Sequence, residues 1–367
     1  MKLTGLSLKK LNIPFKVSFK HTSAERSVTQ SIWVTAVSNS SNIGHGEGCP
    51  REYVTNESLE TATSFFETHK ASIIDKVNSL ENLTTWMLDH KNEIDKNPAA
   101  WCAIELALLD LLAQEDKKNV ENVLGLDTIS QPFQYTAVLG DSSIEVFSAQ
   151  LERYITMGFS DFKIKISGNI ERDNEKLTLF KKYDQQKIRL RIDANNIWKD
   201  AEAAITYIKA LSFPVFAIEE PLSAGQYEAL NKIALACGIK IILDESFLNA
   251  DDFFKIKGPT SHWIINLRVS KMGGLLRSLL VIKQARQLRI SLIVGAQVGE
   301  TSLLTRAALT VSNSARDILV AQEGAFGTLL LQHDICDFPL MFTEKGVLNF
   351  TPSSPYGFQL LIHSDFK

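Results

Sequence analysis

Five ionisable residues, Lys165, Asp193, Glu219, Asp244 and Lys271, follow one another at intervals of 28, 26, 25 and 27 residues, and each closes a short apolar run. The runs are FKIKI (162–166), IRLRID (188–193), VFAIEEP (215–221), IKIILDES (239–246) and WIINLRVSK (263–271), short and β-branched enough to be strands. Between them lie segments of helical length, such as NEKLTLFKKY and AEAAITYIKAL. A strand, a helix and two loops take about 25 to 35 residues, and repetition of that unit builds a parallel sheet with right-handed crossovers. FQYTAVL (133–139) before the series, with ISLIVGAQ (290–297) and DILVAQEG (317–324) after it, brings the strand count to eight. The expectation is an α/β barrel whose chemistry sits where the carboxyl ends of the strands converge.

At 367 residues the chain exceeds a minimal barrel of roughly 250 by enough for a second, smaller domain. LSLKKLNIPF and TQSIWVTAV alternate in the manner of antiparallel strands, and GHGEG (44–48) reads as a glycine-rich turn. Asn56 and Ser58 are candidate N-caps for SLETATSFFETHKASI, and AAWCAIELALLDLLAQ (99–114) is apolar on most sides. GVLNF (346–350) and FQLLI (358–362) are strand-like and are expected to return to the N-terminal sheet. The expected division is an α+β capping domain over 1–130, a modified TIM barrel over 131–335, and a C-terminal segment, 336–367, that rejoins the cap.

A net charge of −3 gives no basic footprint for nucleic acid or anionic membrane. No stretch approaches the roughly 20 apolar residues that cross a bilayer, and the start lacks an apolar core of signal-peptide length. Cys49, Cys102, Cys237 and Cys336 are scattered without a CxxC, which suggests buried thiols in a reducing cytoplasm rather than a disulfide framework or zinc site. The expected partner is a small-molecule carboxylate substrate, with self-association into a homo-oligomer.

Asp193, Glu219 and Asp244 on three consecutive strands bring three carboxylates to one side of a barrel mouth. Alone they repel; a divalent cation removes the conflict, and all-oxygen ligation favours a hard ion, magnesium first, with manganese able to substitute. Lys163 and Lys165 share a strand face, so each ammonium is expected to lower the pKa of the other. That makes Lys165, nearer the strand end, the candidate base and Lys163 its electrostatic tuner. Lys271, four strands on, is expected to face Lys165 across the barrel, where two lysines can take a proton from one face of a carbon and return it on the other. An isolated KxK is usually a solvated strand face and an isolated DES or EEP a cap or turn; five suitable residues at successive strand ends are not explained that way.

With these motifs in place the chain resembles the enolase superfamily, and within it the muconate-lactonizing-enzyme subgroup. GHGEG, AIELALLDLL, KIK, DANNIW, IEEPL, LDES and NLRVSKMGG carry the resemblance over nearly the whole length. It implies an α+β cap, a (β/α)7β barrel and a catalytic magnesium held by Asp193, Glu219 and Asp244, the first acid of EEP being the ligand. It also implies Lys165 and Lys271 as acid/base lysines, with Asn195 and Glu245 supporting the ligands from behind. Arg268 stands where the subgroup often has lysine.

Dipeptide epimerases of this subgroup usually carry an Asp-x-Asp after the eighth strand to hold the substrate ammonium. Here Gly324, Ala325 and Phe326 stand there, and AFGTLLL is more similar to the cycloisomerase version, which also places Phe at this point. Gln297 and Glu300 are expected to face the pocket, and Glu323 is a candidate replacement for the clamp; an acid stabilising a helix N-terminus is the plainer alternative for both glutamates. His21, Thr22, Ser23 and Arg26 lie in the expected lid, with Arg51 and Tyr53 as a second specificity element. The function implied is a magnesium-dependent isomerase that forms an enolate, an epimerase or racemase of an amino-acid derivative or dipeptide, or a muconate-type cycloisomerase. The alternatives are a syn-dehydrating lyase resembling o-succinylbenzoate synthase and a non-catalytic ligand-binding relative.

Overall fold

Two sheets organise the chain in the computed structural model, which describes residues 1–21, 24–184 and 186–366. Strands β1 (Leu3–Leu11), β2 (Pro14–His21), β3 (Ala24–Val28), β4 (Ser31–Ser38) and β5 (Ile43–Gly48) come first. An antiparallel sheet in the order β1-β4-β5 forms beside a β2-β3 hairpin. Helices α1 (Glu52–Thr55), α2 (Leu59–Lys76), α3 (Leu80–Asp89), α4 (Lys91–Ile94), α5 (Pro98–Glu115) and α6 (Val120–Val123) follow.

Ser58 caps α2, accepting from the Glu60 and Thr61 amides, whereas Asn56 adopts a left-handed conformation that closes α1. Glu57 reaches elsewhere: its carboxylate accepts from the Ala99 and Ala100 amides at 2.8 Å, at the head of α5. GHGEG is a strand, not the turn expected. Gly44, Gly46 and Gly48 alternate on the face of β5 that meets α5, where a Cβ would come within 2.2, 2.0 and 2.0 Å of the Ala107, Ala103 and Ala99 carbonyl oxygens. Period-two glycines thus let a helix buried from Pro98 to Ala113 lie directly on the strand backbone.

The second sheet begins after a short β6 (Phe133–Gln134) and runs through β7 (Ala137–Leu139), β8 (Asp161–Lys165), β9 (Arg189–Asp193), β10 (Ala217–Glu219), β11 (Lys240–Leu243), β12 (Trp263–Leu267), β13 (Ser291–Val294) and β14 (Leu319–Gln322). Every neighbouring pair is parallel. The sheet curls until its ends meet, the Thr136 amide donating to the Gln322 carbonyl at 2.8 Å. Outside it lie α7 (Ile144–Thr156), α8 (Ile170–Phe180), α9 (Ala201–Lys209), α10 (Tyr227–Cys237), α11 (Val269–Met272), α12 (Leu275–Leu288) and α13 (Ser302–Ser314). Two 3-10 turns, Ala250–Lys255 and Thr260–His262, replace the helix after β11. No α-helix follows β14 among the described residues, so the fold is a (β/α)7β barrel with an α+β cap.

The tail reaches the cap at α5 without joining the N-terminal sheet. GVLNF supplies β15 (Val347–Leu348), which pairs with β6 rather than with the N-terminal sheet. FQLLI forms no ladder strand; the Phe358 amide donates to Asp110 of α5 at 2.8 Å, and Ile362 makes a single bridge to Cys336. Among the described residues no helix is long and apolar enough to cross a membrane.

Cap and barrel are joined by buried acids that satisfy helix N-termini. Glu47 of β5 accepts from the Thr301 hydroxyl at 2.6 Å, ahead of α13, and Glu105 of α5 accepts from the Leu276 amide at 3.1 Å, in the first turn of α12. Arg51, read from sequence as a specificity element, is instead a fully buried clamp. Its guanidinium donates to the carbonyls of Thr29, Gln30, Pro50 and Val298.

Candidate active site

Strand register sets the ionisable ends side by side. Lys165 pairs with Asp193 and Asp193 with Glu219, while Glu219 pairs with Ile242, which puts Asp244 just past the end of β11. Lys163, Asp193, Glu219 and Asp244 are all buried. Lys163 Nζ lies 2.7 Å from Glu219, 3.3 Å from Asp193 and 3.2 Å from Glu323.

That crowd of acids overturns the expected lowering of Lys163's own pKa and leaves its expected effect on Lys165 in place. Burial favours its neutral form, but the Glu219, Glu323 and Asp193 charges outweigh burial and hold the ammonium well above its usual range. Lys163 is therefore a fixed cation between carboxylates. Lys165 behaves oppositely. Burial lowers its pKa, and Lys163 and Arg268 add to that against the pull of Asp193, 3.7 Å away. Its side chain keeps 17% of its surface open, and its Nζ donates to Asn195 Oδ1 at 3.1 Å. Asn195, expected behind the acids, thus orients the lysine.

Lys271 is not at the mouth. Strand β12 ends at Leu267, and Lys271 lies on the single-turn helix α11 with 1% of its surface exposed. Its ammonium donates to the Asp244 carbonyl, the Asp244 carboxylate and the Asn266 carbonyl at 2.8, 2.9 and 2.8 Å. Three donors meet three acceptors, so the ammonium is fully engaged within the wall. The residue just past the strand end is Arg268, whose guanidinium pairs with Asp244, donates to Gln297 Oε1 at 3.0 Å and lies 3.9 Å from Glu219.

The expected specificity residues divide. Glu323 is unavailable as an ammonium clamp, being held between Lys163 and Arg191, the latter donating at 2.7 Å; against burial, these cations keep its carboxyl down near 2. Glu300 folds back to accept from the Gln297 amide at 2.6 Å, and burial pushes it up to about 7. Phe326 packs against Phe342, with ring centroids 5.5 Å apart. Arg26 donates to Gln30 and stands over the Tyr53 ring, 5.8 Å from its centroid. Thr22 and Ser23 lie outside the described residues, as does the His21 side chain. Glu245, partly exposed beside Asp244, is pushed up to about 8 by burial and by the Asp244 charge.

Two supporting residues went unrecognised in the sequence. Glu220, the second acid of EEP, accepts from the Asp244 and Ser246 amides at 2.7 Å and from the Ser246 hydroxyl at 2.8 Å, shaping the turn that presents Asp244. Its place beside the expected ligand in the EEP motif was the available signal. Asn266 donates to Glu219 at 3.1 Å; one asparagine within an apolar strand gave no spacing to read.

The donor set suits a hard divalent cation. Burial pushes Glu219 up to about 8, Lys163 offsets only part of that, and Asp193, Glu323 and Asp244 add to it, so further positive charge among these oxygens is favourable. The fit lies in donor chemistry and strand position. Among the described residues no group of three such side chains is drawn together as a preformed metal site, the acids being turned toward Lys163, Arg268 and Lys271.

Comparison with known proteins agrees with this architecture. The family model described as "Enolase C-terminal domain-like" matches residues 146–353, more than half of the chain. The N-succinyl-L-Arg/Lys racemase of Bacillus cereus is 26% identical over 324 residues, covering 87% of this chain and 86% of the racemase. Muconate cycloisomerase 1 of Acinetobacter baylyi is 25% identical over 306 residues, 82% of this chain and 80% of that enzyme. The dipeptide epimerase of Cytophaga hutchinsonii, solved with magnesium and D-Ala-L-Val, superposes with a TM-score of 0.86 at 25% identity, covering 100% of this chain and 97% of the epimerase.

Proposed function

The chain belongs to the enolase superfamily, in the muconate-lactonizing-enzyme group, and we propose that it is a divalent-metal-dependent isomerase that removes a proton from the carbon α to a carboxylate. The observation that carries this reading is Lys165. It is a partly open amine at a strand end, lowered in pKa by burial and aimed by Asn195 beside the acids of three neighbouring strands. Burial favours the neutral amine of a lysine so placed, which suits it to accepting a proton.

Asp193, Glu219 and Asp244 are the residues that would hold magnesium, or manganese in its place. When bound, the ion supplies positive charge that favours the enolate over the parent acid. The protein does the rest. Asn195 sets the Lys165 rotamer, Glu220 shapes the Asp244 turn, and Lys163 neutralises part of the acid cluster so that it can stay buried. The relatives named above act on N-succinyl amino acids, dipeptides and muconate, all carboxylates, and the same substrate class is proposed here.

The test is deuterium uptake from D2O at the α-carbon of pooled N-acyl amino acids, dipeptides and lactone acids, read by mass spectrometry. Uptake that needs magnesium and disappears in Lys165→Ala is the expected outcome; uptake unchanged in that variant overturns the assignment. Loss of water from a probe would instead identify a lyase working through the same enolate. The proposal extends to a homo-oligomer in the cytoplasm, resting on four unpaired thiols and on Phe254 and Phe338, which stay 80% and 65% exposed. Light scattering on the purified protein checks the assembly, and a monomer at micromolar concentration would refute it.

A further inference from the structure

We infer that this site moves protons on one face of its substrate only, with Lys165 as the proton carrier and Arg268 as a fixed cation on the opposite wall. The inference rests on the enolate reading above and narrows it, from isomerases in general to those that need no second acid/base group.

Lys165 closes β8 and Arg268 follows β12 directly, four strands further round an eight-stranded barrel, so the two stand on opposite walls. At Arg268 the backbone is extended, with φ −118° and ψ 125°, and it continues the strand direction for one residue before α11 begins. Its guanidinium is aimed at the acids, paired with Asp244 and 3.9 Å from Glu219. Three residues later the chain has turned, and Lys271 points into the wall, where Asp244 and Asn266 engage all three of its protons. Reaching a substrate would break all three of these hydrogen bonds, one of them to a buried carboxylate.

A guanidinium keeps its protons at any working pH and has no lone pair to accept one. It can hold a carboxylate or steady an enolate, but it cannot return a proton to the face opposite Lys165. Inversion at a stereocentre is then out of reach. An isomerisation that uses one proton carrier is not. In lactone opening, the α C–H bond breaks, its proton goes to the Lys165 amine and its electron pair enters the enolate. That pair then forms the new C=C as the β C–O bond breaks, and the ring oxygen leaves as a carboxylate. The mass is unchanged, and the reverse sequence closes the ring with Lys165 returning the same proton. The locked Glu323 is likewise engaged with Lys163 and Arg191, so it cannot hold the ammonium of a dipeptide substrate.

The probes are N-succinyl-L-lysine, D-Ala-L-Val and muconolactone, each in D2O with magnesium, against wild type, Arg268→Lys and Lys271→Met. Wild type is expected to place deuterium α to the carboxylate, or to open the lactone, without inverting either amino-acid probe. Arg268→Lys is expected to gain inversion by about tenfold or more over wild type, since a second lysine then faces Lys165. Inversion by wild type overturns the inference. Should wild type leave every probe unchanged, the substrate reading fails on these compounds, and thermal unfolding decides this one. Lys271→Met should lose roughly 10 °C or fail to fold while Arg268→Lys stays within about 3 °C of wild type. A Lys271→Met protein as stable as wild type would place that lysine in no structural role and overturn the inference by itself.

Discussion

The carboxylate of Glu47, on the last strand of the cap sheet, accepts a 2.6 Å hydrogen bond from the hydroxyl of Thr301, the residue that caps barrel helix α13. Burial pushes Glu47 up to about 8, and burial does the same to Glu57 and Glu105. An acid whose folded pKa lies above its ordinary 4.5 binds its proton more tightly when folded. Its contribution is full below that ordinary value and is lost as pH rises toward 8, on the order of 1.4 kcal/mol per pH unit for each group. Thermal midpoints measured from pH 5 to pH 8 should therefore fall, and Glu105→Gln should flatten the slope. A wild-type midpoint that rises over this range would contradict the assignment.

Arg306 and Glu121 form a two-pronged pair, both contacts 2.8 Å, with neither side chain open to solvent. Removing one partner strands a buried charge, so Arg306→Met should cost about 3 to 5 kcal/mol in urea unfolding. Replacing both residues with apolar side chains of similar volume should recover much of that loss. A double variant no more stable than the single would argue against a stranded charge as the cause.

Gly46 faces α5 with 2.0 Å between the place of a Cβ and the Ala103 carbonyl oxygen. Gly46→Ala should push strand and helix apart at a cost of about 3 kcal/mol or more. Gly140, where a Cβ would meet nothing within 4 Å, is the control, and its alanine variant should unfold within about 0.5 kcal/mol of wild type.

Asn195 acts on the reaction through Lys165, so Asn195→Ala should lower kcat by roughly tenfold with little change in KM. A purely structural role would show as a lower melting temperature with kcat retained, and parallel melting and kinetic measurements separate the two.

Adding magnesium should raise the melting temperature of the wild-type protein, since an ion bound only by the folded state stabilises by about 2.7 kcal/mol at a hundredfold excess over Kd. Glu219→Gln should lose most of that rise, and EDTA should reverse it. An equal magnesium response in the variant would remove Glu219 from the ligand set.

The barrel was legible because its signal is local. Each apolar run is a strand of period two, each intervening segment a helix, and the ionisable residue at a run's end marks the strand's carboxyl end without knowledge of its neighbours. Lys165, Asp193, Glu219 and Asp244 were found that way, and the strand register then set them beside one another. The same rule failed at GHGEG, where glycine signals a turn unless a helix from elsewhere in the chain needs the space, and α5 does.

The rule failed again at Lys271, and for a related reason. The run WIINLRVSK says that a strand is present, but its end is decided by partners distant in sequence: Leu267 pairs with Val294, and its carbonyl accepts from the Gly295 amide at 2.8 Å, after which the backbone turns into α11. Those contacts put Arg268 at the mouth and bury Lys271 beneath Asp244. Side-chain chemistry and strand periodicity are properties of the chain alone and declared a barrel with acids at its mouth. Which cation stands at the end of the strand is a matter of where the ladder stops, and only packed neighbours can stop it.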